Sequence, residues 1–301
     1  MFFYYYMHGL YFESETELYD APELELAGYH VPDVKIRISD HFLPEFEDIR
    51  DNTMISSYER IWFRTDIGSF LIEDGKMIYV SPLNTASKAE LSAYIIGWCM
   101  CYLFFQRNKL GIHCSALSYK DIAFMISGES GAGKSITALS MLKRGCGCFS
   151  DDIAFVSSDD GYMIHPSLPL QKMCTDVADS SYNKNELLYI DERKDKYALI
   201  DKNNFDTVPK PLSVLFVIRV GDTAEVEHEE ISGIKKVSVI LDSLFMAPFY
   251  SIKGFPNKVK AECLRMAGAV RVIMIKRPKA KETVARICDI IEKYLEEACQ
   301  R

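Results

Sequence analysis

Thirteen residues leave this chain little freedom of fold. Residues 123–135 read Ala-Phe-Met-Ile-Ser-Gly-Glu-Ser-Gly-Ala-Gly-Lys-Ser. The run Ala123–Ile126 is apolar and bounded by turn formers, which predicts a buried strand. Gly128, Gly133, Lys134 and Ser135 then fit the spacing G-x-x-x-x-G-K-[ST]. Ile136–Arg144 is predicted as a helix, with Ile136, Leu139, Met141 and Leu142 apolar and Lys143-Arg144 at its negative end. Gly145 stands where a left-handed C-cap would end it.

The residue types suit a phosphate cradle. Gly128, Gly131 and Gly133 let backbone N–H groups turn inward around phosphate oxygens, which a Cβ would obstruct. The helix start adds partial positive charge. Lys134 is expected to reach the β- and γ-phosphates, and the Ser135 hydroxyl to ligate Mg²⁺. The expected cradle comprises Gly128, Glu129, Ser130, Gly131, Ala132, Gly133, Lys134, Ser135 and Ile136, with Ser130 in the variable part of the loop. A glycine-rich turn that matches by chance is the alternative, and the strand before and helix after argue against it.

A phosphate loop does not name a reaction, and the flanks say more. Fifteen residues before Gly128 stands His113, in Gly-Ile-His-Cys-Ser-Ala. Seventeen residues after Lys134 stands Asp151, then Asp152, in Cys-Phe-Ser-Asp-Asp-Ile-Ala-Phe-Val. Here the sequence resembles the HPr kinase/phosphorylase family. The catalytic domain of that family carries a histidine, a G-x-S-G-x-G-K-S loop and an Asp-Asp pair at these separations. The match runs from about Gln106 to Val156, roughly fifty of 301 residues, with weaker likeness beyond. Within the wider family the chain looks most like the HPr-kinase-like proteins of bacterial peptide-tailoring gene clusters, including kinases of lasso-peptide precursors.

The resemblance implies a P-loop α/β core with a mixed sheet, ATP and Mg²⁺ as cofactors, and γ-phosphate transfer to a serine- or threonine-type hydroxyl on a peptide or protein. It implies roles as well. Lys134 and the loop amides hold the β- and γ-phosphates. Ser135 and Asp152 hold the metal. Asp151 takes the acceptor's proton, and His113 lies near the γ-phosphate, orienting Asp151. Adjacent carboxylates on a strand point opposite ways, so the roles of Asp151 and Asp152 are open to exchange. Two departures stand out. Residues 1–110 do not resemble the N-terminal domain of HPr kinase/phosphorylase. After Val156, His165-Pro-Ser-Leu-Pro occupies the place of the family's glycine- and arginine-bearing segment. HPr as substrate and the reverse reaction are therefore not carried over.

The remaining chain frames this core. A length of 301 residues suits one large domain or two small ones. The proline–asparagine turn after Val80 marks a boundary, giving a β-rich module over 1–85 and a catalytic domain over 86–301. A net charge of −8 argues against a nucleic-acid binder. Nine cysteines, odd in number and irregular in spacing, fit a reducing cytoplasm rather than a disulfide framework. The longest apolar run, Ala93–Phe105, is 13 residues, too short to span a bilayer, and Met1–Met7 lacks the marks of a targeting segment. Oligomeric state is open, and a homo-oligomer is possible.

In chain order, residues 2–13 read as one strand, and 1–82 as a mostly antiparallel module whose aromatics form core or a peptide-docking surface. Ser87–Gln106 is a helix with Leu91, Tyr94, Ile95, Trp98 and Leu103 on a wide apolar face. Arg107 and Lys109 are assigned no role, nor are His8, His30 and His41. Residues 160–185 read as loop, with Asp176 and Asp179, and Arg193, Lys194 and Lys196 as a charged turn that either meets phosphate or is solvated. Leu212–Val220 is a strand, Gly221–Glu230 a solvated connection, and Lys235–Ile240 a short strand. Asn257–Ala267 and Lys281–Ala298 are helices about the strand Val270–Ile275. Besides a peptide or protein kinase, three readings compete: a small-molecule kinase of the same fold, a non-catalytic nucleotide-binding module, and a motor-type ATPase.

Overall fold

The aromatic and β-branched residues of the first eighty positions pair into strands, because both types fit a pleated, half-buried surface. They form a seven-stranded sheet in a computed structural model that describes residues 1–18, 30–40, 54–174, 188–191, 196–247, 250, 254–279 and 282–300. Its strands are β1 Phe3–Met7, β2 Leu10–Ser14, β3 Val34–Ile38, β4 Met54–Ser56, β5 Arg60–Thr65, β6 Gly68–Glu73 and β7 Met77–Pro82. They lie in the order β1-β2-β3-β7-β6-β5-β4. The single strand expected over 2–13 is a hairpin instead. His8 and Gly9 carry φ of 52° and 82°, the left-handed pair that a tight two-residue turn requires. The module is mostly antiparallel, as expected, with the exception of β3, which runs parallel to both β2 and β7.

Ser87 then caps a long helix, with Glu90 returning the bond in a capping box. The helix runs through α1 Lys88–Tyr94, a π turn over Ile95–Cys99 and α2 Met100–Gln106. Met100 N–H reaches back to Ile95 O, five residues, so the turn is one residue wider than α. Trp98, expected to face inward, is exposed at 38% while Ile95, Cys99 and Leu103 are fully buried.

The second sheet holds the phosphate loop. Its members are β8 Leu110–Tyr119, β9 Ile122–Gly128, β10 Gly147–Ser150, β11 Ile153–Val156, β12 Met163–Ile164, β16 Lys210–Gly221, β17 Glu227–Glu230 and β18 Arg271–Pro278. Three short strands, β13 Leu170–Cys174, β14 Leu188–Asp191 and β15 Lys196–Ile200, make a separate sheet. The order β10-β8-β9-β16-β18-β17 is mixed: β9, β16 and β18 are parallel, and the outer strands antiparallel. The parallel strands are near-continuous Val, Ile, Leu and Phe, as strands buried on both faces must be. One face packs on the long helix and the first sheet, in a contiguous core that includes Phe12, Phe70, Phe104, Ile112, Phe155 and Leu215. The other packs on α3 Lys134–Lys143 and a C-terminal helix, through Ile126, Phe216, Met141, Ile287 and Ile291.

Two further expectations fail for identifiable reasons. Residues 227–230 are an edge strand on β18, hidden from pattern reading because all four residues are exposed and three are acidic. Such charge on an open edge also discourages pairing with another chain. Lys235–Ile240 is not a strand but part of α4 Gly233–Asp242. Its β-branched residues suggest a strand, but Val237, Ile240 and Leu241 fall on one helical face that packs against the core. The chain closes with α5 Asn257–Ala269 before β18 and α6 Val284–Cys299 after it. No helix among the described residues is long and apolar enough to cross a membrane. His41, Asp176, Asp179, Arg193 and Lys194 lie outside the described residues, as does the side chain of Lys196.

Candidate active site

Three parallel strands end at the same rim. Ile218 of β16 is level with Gly128 of β9, and Gly221 with Pro278 of β18. In an open α/β sheet, ligands bind beyond the carboxyl ends of the strands, and the phosphate loop occupies that position. Gly128 has φ 153°, and a Cβ there would stand 2.4 Å from the Ile218 carbonyl oxygen, so the loop leaves the strand where only glycine fits. The loop turns with Ala132 N–H donating to Glu129 O at 3.1 Å. Gly133, at φ 104°, begins α3 without a side-chain cap. The first helical amides therefore face the loop mouth, as unsatisfied donors at a helix start do. At α3's other end, Gly145 N–H donates to Leu142 O and Cys146 N–H to Met141 O, the paired bonds of a Schellman motif.

Lys134 folds back over the loop, its Nζ donating to Gly128 O at 2.7 Å and to Glu129 O at 3.2 Å. Ser135 follows on the first turn of α3, half-buried, and Ile136 beside it is exposed. Glu129 and Ser130 lie on the exposed side of the loop, and Ala132 is buried beneath it.

The acid pair sits at an interruption between two strands. Ser150 of β10 pairs with Ala116 and Ile153 of β11 pairs with His113, both across β8. Asp151 and Asp152 fill the gap, with Asp152 at φ 82° and its carbonyl accepting from Cys114 N–H. The break turns the two carboxylates to different neighbours. Asp151 Oδ1 accepts from Ser115 Oγ at 2.7 Å, and Asp151 shares a small cleft with Ser135. Asp152 Oδ1 lies 3.7 Å from His113 Nε2. His113 is held by its backbone, N–H donating to Ser243 O at 2.9 Å and carbonyl accepting from Ser127 Oγ at 2.8 Å. All the sequence-derived candidates thus gather at one rim, with His113 beside Asp152 and Asp151 beside Ser135.

Two arginines join them that sequence reasoning missed. Arg277, at the end of β18, donates to Ala132 O at 2.8 Å and Gly131 O at 3.1 Å, holding the loop from behind. Arg219, near the end of β16, pairs with Glu129 and lies 3.7 Å from Asp242. The available signal was a cation closing an apolar strand: Arg219 alone after Val214–Ile218, and Arg277 with Lys276 after Val272–Ile275. Arg107 and Lys109, taken as roleless, are also engaged: Arg107 Nε donates to Gly75 O at 2.6 Å, and Lys109 pairs with Asp160 at 2.7 Å.

The site suits a hydrated, hard cation and a polyphosphate. Among the described residues no three His, Cys, Asp or Glu side chains converge as a metal cage. Mg²⁺ needs none, since it keeps several waters and takes one or two carboxylates plus substrate phosphates. Ser135 and the Asp151–Asp152 pair would offer such a cation oxygen donors only. The loop backbone suits an anion as well: Gly131 and Gly133 adopt φ of 78° and 104°, the left-handed conformations by which successive N–H groups turn inward.

No family model matches the chain. HPr kinase/phosphorylase of three Clostridium perfringens strains is 29% identical to it over 159 residues, covering 48% of this chain and 51% of theirs. The chain therefore spans about half the length of the curated relatives it matches. The Hpr(Ser) kinase/phosphatase from Coxiella burnetii, a solved structure, is 12% identical with a TM-score of 0.31, covering 62% of this chain and 91% of that one. Over about half its length, the chain is similar in sequence to HPr kinase/phosphorylase.

Proposed function

We propose that the chain is an ATP- and Mg²⁺-dependent kinase of a serine- or threonine-type hydroxyl on a peptide or protein. Phosphoryl transfer needs charge neutralisation, in-line positioning and a proton acceptor, with little covalent chemistry from the protein. The loop amides and Lys134 bind the β- and γ-phosphates. Ser135 and Asp151 hold the cation, which offsets charge on the phosphate oxygens. Asp152, with His113 beside it, accepts the hydroxyl proton as the oxygen attacks the γ-phosphorus and the bond to the β–γ bridging oxygen breaks, releasing ADP. This exchanges the two acids' first-expected roles. One observation supports the exchange: Asp151 lines a cleft with Ser135, while Asp152 stands 3.7 Å from His113.

Eight described cysteines are free, seven of them buried, which supports a reducing, cytoplasmic setting. We keep the division into 1–85 and 86–301 as the working organisation, with no nucleic-acid or membrane partner and a homo-oligomer possible.

The test is transfer from γ-labelled ATP to a serine/threonine peptide pool and, separately, to a metabolite pool. Lys134→Ala is expected to abolish turnover and weaken ATP binding. Asp152→Asn is expected to keep nucleotide affinity and lower kcat by about 10²–10⁴-fold, the usual worth of a positioned base. Asp151→Asn is expected to raise the Mg²⁺ concentration for half-maximal rate. Wild-type rates in Asp152→Asn would overturn its assignment as base. Labelling confined to the metabolite pool would make this a small-molecule kinase, and ATP binding without any transfer a nucleotide-binding module.

A further inference from the structure

A continuous track of rings leads from the surface to the proposed base. Trp98 is exposed in a helix whose other large apolar residues are mostly buried, and it sits on the π turn Ile95–Cys99. Wider turns of this kind cost hydrogen-bond geometry and recur at functional sites. Trp98 meets Phe245 edge-on, with ring centroids 5.0 Å apart. Phe245 in turn lies 5.8 Å from the His113 ring, and His113 Nε2 is 3.7 Å from Asp152. Phe245 is only half-buried, so it and Trp98 form an apolar shelf open to solvent.

The shelf is fixed where an acceptor must pass. Phe245 N–H donates to Gly111 O at 2.9 Å, and Ser243 O accepts from His113 N–H, so β8 pins the 243–245 segment from both sides. The same segment follows Asp242, which lies 3.7 Å from Arg219, the partner of Glu129 in the phosphate loop. The indole stacks on the buried Tyr102, ring centroids 6.1 Å apart, and remains 38% exposed beside Phe245. A small molecule whose hydroxyl sits at Asp152 would not extend two ring-lengths outward. An extended peptide would, since it advances about 3.3 Å per residue.

Resting on the kinase reading above, we propose that Trp98 and Phe245 select the acceptor: they bind an aromatic or large aliphatic side chain that lies within about three residues of the phosphorylated hydroxyl, the reach set by the two ring steps and the strand rise. The substrate class is thus an extended peptide segment with an apolar residue close to its serine or threonine. Aromatic residues are suited to such a contact because they offer large area at low rotamer cost.

The probe is a set of serine peptides with alanine at every flanking position, each carrying one phenylalanine between −3 and +3. The wild type is expected to give one position where phenylalanine raises kcat/KM by about tenfold over the all-alanine peptide, equivalent to about 1.4 kcal/mol. Trp98→Ala is expected to reduce that ratio to near one, and Trp98→Phe to restore most of it. Trp98 lies at the edge of the core, stacked on Tyr102, so Trp98→Phe controls for the packing that Trp98→Ala loses; the other tryptophan, Trp62, is buried. Trp98 emission therefore reports binding directly, and the phenylalanine peptides are expected to shift it where the all-alanine peptide does not. Equal rates for all peptides, an unchanged ratio in Trp98→Ala, or a change of oligomer mass in that variant would overturn the shelf. If no peptide is phosphorylated yet phenylalanine peptides shift the emission, the kinase reading fails and the shelf stands. If neither occurs, both fail.

Discussion

Gly128 carries the most local of the site's constraints. Its φ of 153° is left-handed territory, and the nearest obstacle to a Cβ is backbone, the Ile218 carbonyl at 2.4 Å. Ile218 is the last residue of β16 level with β9 but is still paired with β18 on its other side, and backbone held in that way cannot step aside cheaply. Gly128→Ala is therefore expected to cost about 2 kcal/mol or more, combining conformational strain with a clash. Urea denaturation would show it as a lower midpoint, and nucleotide affinity would fall with it. A variant as stable as wild type would mean that the loop leaves β9 by another path. At this scale the sequence was informative where chemistry is local. Lys134 and Ser135 follow Gly133 directly, and Asp151 and Asp152 are adjacent, so spacing alone names them. Arg219 and Arg277 could not be named so, because they meet the loop only through the register of three parallel strands. The partners of each acid were equally hidden. They depend on a break between β10 and β11 that no residue pattern announces.

Elements were legible in proportion to their apolar periodicity. The parallel strands and the helix after the loop carry long uniform patterns, and the structure places them as expected. Gly233–Asp242 misled because its β-branched residues speak for strand while their spacing speaks for helix, and packing of one face decided. Residues 227–230 had no pattern to read, being exposed on every side. How elements join was not legible at all, and the end of α2 shows why. Gly75 N–H donates to Gln106 Oε1 at 2.7 Å, while Gln106 Nε2 donates to Glu59 O at 3.0 Å and Ile72 O at 3.2 Å. One side-chain amide thus serves three backbone groups at turns of the first sheet. Gln106→Ala removes all three bonds; Glu59 O still accepts from Asp74 N–H at 2.9 Å, so the loss falls chiefly on the buried Gly75 N–H, and the cost of leaving such a group without a partner is about 1–3 kcal/mol. The loss is expected in the unfolding free energy, with the Mg²⁺ and ATP dependence of transfer unaltered. Gln106→Glu, which keeps the acceptor but not the donor, is expected to fall between.

The whole molecule depends on contact between its two large sheets, and one buried histidine reports on it. His8, at the turn of the first hairpin, is 5% exposed and packs edge-on against Phe104 and Phe155. Its N–H donates to Pro166 O at 2.6 Å, and the next residue, Gly9, lies against the His165 ring. Burial, then the nearby His165 and Lys109, holds the His8 pKa down to about 3 from its usual 6.5. Asp160, which pairs with Lys109 and lies 3.7 Å from His165, is raised by burial but held low overall, to about 2, by hydrogen bonds and charge from His165 and Lys109. The sign follows from proton counts. Between pH 6.5 and 3 the unfolded chain binds a proton at His8 that the folded chain refuses, so stability is full above 6.5 and drains as pH falls. Between pH 7 and 5 the loss is about 2 kcal/mol, while the stability that Asp160 provides is present above its ordinary carboxylate pKa and is lost only as pH falls from there toward about 2. His8→Asn removes the titration and keeps a residue tolerant of positive φ. Urea midpoints measured at pH 7, 6 and 5 are expected to fall steadily in the wild type and to flatten in His8→Asn, even though the variant starts lower for the packing it loses. Parallel slopes in the two proteins would place the acid sensitivity elsewhere, and the hairpin would then not be the point at which protonation loosens one sheet from the other.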